Sequence, residues 1–174
     1  MWKKLMAGVV VLAAIAVAVV LSGGGDAPSG KEKGARPAPS FSAPVLGGSR
    51  QVSLASLRGH AVLLTSWATW CEVCRAELPE IEQLTRSRWG KGLRVVGVDL
   101  DSGSGEGAAE YAKAHGLTFL MLHDGSDRFQ EKFDAVGVPT NVLVDARGRL
   151  VAVWPGALEP ATALPAIRAA ERAG

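Results

Sequence analysis

Ala61-Val62-Leu63-Leu64-Thr65-Ser66-Trp67-Ala68-Thr69-Trp70-Cys71-Glu72-Val73-Cys74-Arg75-Ala76-Glu77-Leu78-Pro79 changes its periodicity midway. Residues 61 to 67 are an apolar, β-branched run of strand length, whereas Leu78, Ile81 and Leu84 recur at helical spacing after Cys74. The junction holds the chain's only two cysteines, so Cys71 falls at or just before a helix N-terminus. Unsatisfied backbone N–H groups and the positive end of the helix dipole stabilise a thiolate there. A cysteine in such a place has its pKa lowered from about 8.5 into a range of roughly 3.5 to 7.5. Cys74, one turn along, is placed to close a disulfide with Cys71. Attack, mixed disulfide and resolution then need no cofactor.

Other uses of two cysteines fit less well. A structural bridge closing so short a loop constrains the unfolded chain little. A zinc site needs a second pair of ligands, and His60, His115 and His123 stand at no ligand spacing, so neither a metal nor a cofactor is expected.

The segment from Ser66 to Pro79 resembles the active-site segment of thioredoxin-like proteins of the TlpA/ResA/DsbE type, which are membrane-tethered or secreted thiol-disulfide oxidoreductases. Arg58-Gly59-His60-Ala61-Val62-Leu63-Leu64 is similar to that family's lead-in to its first core strand, and Leu93 to Asp99 to the strand after it. Gly137-Val138-Pro139-Thr140-Asn141 resembles the family's cis-proline segment, and Gly148 to Val151 the next strand. The similarity covers residues 41 to 174. It implies a thioredoxin fold: a central mixed β-sheet flanked by helices, with an N-terminal β extension and an inserted strand-helix element.

The coarse reading along the chain agrees. A hairpin is expected around Phe41 to Val52 turning at Gly47-Gly48, a helical turn near Leu54 to Leu57, and a strand from Leu93 to Asp99. A glycine-bearing loop over residues 101 to 107 follows. Its spacing does not match G-x-G-x-x-G and it carries acids, so it reads as a plain loop before a helix over Glu106 to His115. Then come a strand at Phe119 to Leu122, a short helix at Arg128 to Phe133, and strands Thr140 to Asp145 and Leu150 to Trp154 turning at residues 146 to 148. A last helix spans Glu159 to Arg172, with Pro160 in its first turn and Pro165 as a point of kinking.

Upstream, Lys3 and Lys4 precede an uncharged run from Leu5 to Leu21. At about 1.5 Å per residue it covers roughly 26 Å, near the ~30 Å of a hydrocarbon core. It exceeds the apolar region of a cleavable signal, no A-x-A-like site stands out, and no cysteine follows for lipid attachment. Residues 1 to 21 are therefore expected to be an uncleaved anchor, with a cleaved signal as the alternative. The flanking lysines favour a cytoplasmic N-terminus, despite Lys31, Lys33 and Arg36 on the far side. The expected location is a single-pass membrane protein with its domain on the periplasmic or outer side, or secreted if the signal is cleaved. Residues 22 to 40, rich in Gly, Pro, Ser and Lys, read as a flexible linker reaching roughly 25 Å. Residues 41 to 174 form the remaining domain. A net charge of +2 with scattered basic residues excludes a nucleic-acid surface, and a monomer is expected.

Further roles rest on the resemblance. It places Pro139 as a cis-proline facing the disulfide, with the Val138 backbone available to pair with an incoming polypeptide. It places Glu77, three residues after Cys74 and on the same helix face, near the active site as a proton relay for the Cys74 thiol. Thr65 departs from thioredoxins, which carry a buried aspartate there. Val73 stands where many relatives have proline, and Glu72 puts a negative charge beside Cys71 that opposes its thiolate. Trp70 and Trp67 divide between substrate platform and core. The substrates implied are cysteines of exported proteins, apocytochrome c among them, with a membrane thiol donor behind a reductant. The alternative direction is an oxidase that installs disulfides. A thiol peroxidase would need P-x-x-x-T-x-x-C, whereas Thr69 lies two residues before Cys71, and a copper chaperone of this fold tends to carry CxxxC and a distant histidine.

Overall fold

The computed structural model describes residues 36–87 and 92–173. The expected anchor at residues 1 to 21, and most of the expected linker, lie outside the described residues. Six strands form one mixed sheet: β1 (Arg36–Pro37), β4 (Ala61–Trp67), β5 (Leu93–Asp99), β6 (Leu120–His123), β7 (Thr140–Val144) and β8 (Arg149–Pro155), in the order β1-β8-β7-β4-β5-β6. A separate hairpin pairs β2 (Ser42–Pro44) with β3 (Gln51–Ser53), and a 3-10 turn at Leu54–Leu57 follows it. The helices are α1 (Glu72–Arg86), α2 (Glu106–Ala114), α3 (Arg128–Phe133) and α4 (Pro160–Arg172).

The central position of β4 follows from its sequence. Every residue from Ala61 to Trp67 is buried, as a near-continuous apolar run covered on both faces requires. It runs parallel to β5 and antiparallel to β7. Alternation along it divides the core in two. Leu63 and Trp67 face a layer containing Leu78 and Ile81 of α1, Ala108 of α2 and Ile167 of α4. Val62 and Leu64 face Phe41, Phe129 and Phe133 on the other side, with Val96 and Val98 of β5. Gly97 lies between those two valines because a Cβ there would fall 2.3 Å from the Met121 sulfur and 3.0 Å from the Phe119 ring.

The hairpins turn where expected. Gly48 N–H donates to the Val45 carbonyl. Between β7 and β8, Asp145 Oδ1 accepts from the N–H groups of Arg147 and Arg149, and Gly148 takes φ +80°. Helix α4 continues through Pro165 to Arg172, and α1 likewise runs through Pro79. The sheet also extends further upstream than Phe41: Arg36 pairs with Leu150, Pro37 with Arg149, and Ala38 N–H donates to the Gly148 carbonyl. The last residues of the expected 22–40 linker are thus an edge of the sheet. A two-residue strand is too short to show any alternation.

Candidate redox site

Cys71 caps α1. Its backbone is extended, and its Sγ accepts a hydrogen bond from the Cys74 N–H at 3.1 Å. Cys71 and Cys74 are joined as a disulfide, with their Cα atoms 5.3 Å apart. Accessibility separates the two cysteines: Cys71 keeps 7% of its surface, whereas Cys74 has none. An incoming sulfur thus meets Cys71 first.

The peptide bond before Pro139 is cis, and the Val138 carbonyl oxygen lies 3.8 Å from Cys71 Sγ. This segment is fixed from both sides. Thr140 N–H donates to Ser66 Oγ at 2.8 Å while Ser66 Oγ–H donates to the Thr140 carbonyl, and Gly156 N–H donates to the Pro139 carbonyl. Ser66 therefore ties the chain just after the cis bond to the strand that delivers Cys71. The turn before the cysteine is held as well: Thr69 N–H donates to both carboxylate oxygens of Asp101, at 3.2 and 3.1 Å.

Glu77, on the buried face of α1 one turn after Cys74, is 5% exposed. Its Oε1 accepts from Asn141 Nδ2 at 3.0 Å and from Leu158 N–H at 2.7 Å. Burial pushes its carboxyl above the ordinary range, the hydrogen bonds from Leu158 and Asn141 pull the other way, and the Glu80 charge adds to the rise. A cavity of about 210 Å³ opens beside it, lined by Ile81, Leu84, Leu158 and Ile167 among others. Because the protonated form is favoured in the folded state, the stabilisation from Glu77 is complete below the ordinary carboxylate value. It is lost as pH rises through the raised value. Glu77→Gln keeps an acceptor for Leu158 and removes the titration. Urea melts at a series of pH values are expected to show the wild type losing stability relative to this variant as pH rises towards neutral, and parallel curves would contradict the assignment.

The two tryptophans separate cleanly. Trp67 is fully buried against Tyr111, with ring centroids 5.7 Å apart, while Trp70 is 71% exposed. Sequence reasoning assigned Val73 no part in a docking surface and passed over Val136. Among the described residues the exposed large apolar side chains are Trp70, Val73 at 53% and Val136 at 93%. Trp70 and Val73 adjoin the cysteines in the chain, and Val136 stands two residues before Val138, whose carbonyl lies beside Cys71 Sγ. The available signal was a valine in the short connection between the helix ending at Phe133 and Pro139. Of the histidines, His60 meets Arg94 and His115 stacks on Tyr111. His123 contacts Asp99. Among the described residues no cluster of three His, Cys, Asp or Glu is arranged for a metal.

Comparison with known proteins places this arrangement. Residues 35–153 match the AhpC/TSA family. The chain is 32% identical over 107 residues to the thiol-disulfide oxidoreductase ResA of Oceanobacillus iheyensis, a match covering 62% of this chain and 55% of that protein. It is 35% identical over 113 residues to the thioredoxin-like protein YneN of Bacillus subtilis, covering 64% and 65%. The chain thus spans less than two thirds of the length of these curated relatives. A solved structure from Chlorobium tepidum, described as a thiol:disulfide interchange protein DsbE, superposes with a TM-score of 0.69 at 31% identity, covering 79% of this chain and 96% of that one. The family match extends over most of the described sheet, and the relatives carry the names that the active-site segment first suggested. The chain belongs to the AhpC/TSA family, as a thioredoxin-like protein of the TlpA/ResA/DsbE type.

Proposed function

We propose that this protein is a membrane-anchored, extracytoplasmic thiol-disulfide oxidoreductase that reduces disulfides of exported proteins. The observation that carries the reading is the asymmetry of the pair: a helix-capping, solvent-reachable Cys71 joined to a wholly buried Cys74, beside the Val138 carbonyl.

In the reduced protein the Cys71 thiolate attacks one sulfur of a substrate disulfide, and the other substrate sulfur leaves as a thiolate. Cys74 then gives its proton to Glu77 and attacks Cys71 Sγ. The second substrate sulfur departs, so two electrons have passed to the substrate and Cys71–Cys74 is oxidised. A membrane thiol donor restores the dithiol. The Val138 backbone and Pro139 dock the polypeptide as an added strand, with Trp70 as an apolar platform. Apocytochrome c, whose haem-attachment cysteines must be kept reduced, is the substrate we favour. The names of the ResA and DsbE relatives support the exchange chemistry.

The decisive experiment is the equilibrium reduction potential of the purified protein against glutathione or dithiothreitol buffers. A value near −270 mV makes it a reductant, and one near −120 mV makes it an oxidase that installs disulfides. The docking reading has its own test. Val136→Asp is expected to raise KM for a disulfide-bearing polypeptide on the order of tenfold, the worth of one buried valine, while exchange with a small disulfide is unchanged. Equal effects on both substrates would remove Val136 from the docking surface.

A further inference from the structure

His123 ends β6, and its ring lies between two acceptors. Nδ1 is 2.7 Å from Asp99 Oδ2 on β5, and Nε2 is 2.9 Å from the Gly103 carbonyl in the loop between β5 and α2. A hydrogen bond to that carbonyl requires a proton on Nε2. The contact with Asp99 requires a second, either on Nδ1 or on the carboxyl itself. Both arrangements hold one proton more than a neutral ring beside an ionised carboxylate. When that proton leaves, one of the two contacts sets lone pair against lone pair, and the weaker grip is the one on the neutral carbonyl.

The loop in that grip reaches the disulfide. Asp99 Oδ1 accepts from Asp101 N–H at 3.1 Å, and Asp101 in turn holds the N–H of Thr69, two residues before Cys71. Leu100 N–H donates to the Trp67 carbonyl at 2.9 Å. Gly105, at φ +73°, lies so close to the ring that a Cβ would fall 2.8 Å from His123 Nδ1. Asp99 is wholly buried, and burial holds its carboxyl above the ordinary range against the opposing pull of His123 and the Asp101 N–H, which favours retention of the proton. The Asp101 charge acts in the same direction. The remaining charged groups of these elements are engaged elsewhere or in water. Asp124 holds Phe129 N–H, Ser126 and Arg128, and Glu106 is exposed at the start of α2.

We propose that His123 is a positioning residue for Cys71: a proton held between Nδ1 and Asp99 keeps the Nε2 proton on the Gly103 carbonyl, and the loop so held fixes Thr69 and the Trp70–Cys71 approach. The proposal rests on Cys71 as the exchanging sulfur, but its first test does not. In a ¹⁵N-labelled oxidised full chain, the Thr69 amide signal is expected to move with pH at the midpoint of the His123 ring protons. In His123→Gln, which can donate to Gly103 without titrating, that step should vanish, and Asp99→Asn examines the same clasp from its other side.

The second readout is reduction of the disulfide by dithiothreitol, expressed per reductant thiolate. It is expected to change about threefold or more across the same midpoint in the wild type, as moderate coupling between linked sites gives, and to be flat in His123→Gln. A Thr69 signal indifferent to the His123 midpoint overturns the proposal. So does a reduction rate with the same pH step in both proteins. If Thr69 follows His123 in a protein whose disulfide exchanges with no polypeptide, the clasp stands and the proposed function falls.

Discussion

Cys71→Ser is expected to bring thiol-disulfide exchange down to the uncatalysed background. A serine hydroxyl stays protonated where a thiolate would form, and no other described cysteine can take its place, because Cys74 has no exposed surface. Cys74→Ser is expected to fail differently. Its Cys71 still attacks, but nothing resolves the product, so a mixed disulfide with the substrate accumulates and appears as a shifted band on non-reducing gels. Cys71→Ser retaining full exchange would sink the functional reading. A Cys74→Ser protein that turns over normally would reassign the resolving group.

The largest loss of stability is expected from Phe129→Ala. Phe129 is wholly buried and packs between Phe41, at a ring-centroid distance of 5.7 Å, and Phe133 at 5.0 Å. It therefore joins the N-terminal hairpin segment and α3 to the face of the sheet opposite the disulfide helix. Truncating such a ring costs about 3–5 kcal/mol, the transfer of the lost atoms plus the cavity left behind. At a urea slope of about 2 kcal/mol/M, the midpoint should fall by about 2 M. A shift under about 0.5 M, at the same slope, would mean that the hairpin and α3 reclose over the gap. Val136→Ala is the control, since a residue in full solvent has no cavity to leave.

How far the site could be read from the chain depended on how local its physics is. The junction at Cys71 was legible because a strand and a helix meet there, and each shows its period within a few residues. Glu77 was legible because three residues of helix place it under Cys74. Asn141 was not, since its contact with Glu77 spans sixty-four residues and depends on the register of β7 against β4. For the same reason His123 looked like an isolated histidine. Only the parallel pairing of β5 with β6, which sets Asp99 opposite His123, brings the ring to its carboxylate. The β1 edge was invisible in a segment whose composition resembles a linker. Trp67 and Trp70 differ by only three positions, and strand alternation followed by a turn decided which became core.

The cap on α1 has an electrical consequence. The sulfur that changes oxidation state is also the group that terminates the helix, so helix stability and redox equilibrium are parts of one balance. A thiolate accepts the Cys74 N–H more strongly than a disulfide sulfur does, so the dithiol form gains from the cap. A side-chain cap is worth about 1 kcal/mol, and for a two-electron couple that corresponds to about 20 mV. A substitution that firms the first turn of α1 should therefore make the protein more oxidising, and one that frays it more reducing, without any contact with either sulfur. Glu72 and Val73, the two residues enclosed by the disulfide, occupy that first turn. The voltage at which the protein works is set partly by how willingly fifteen residues coil.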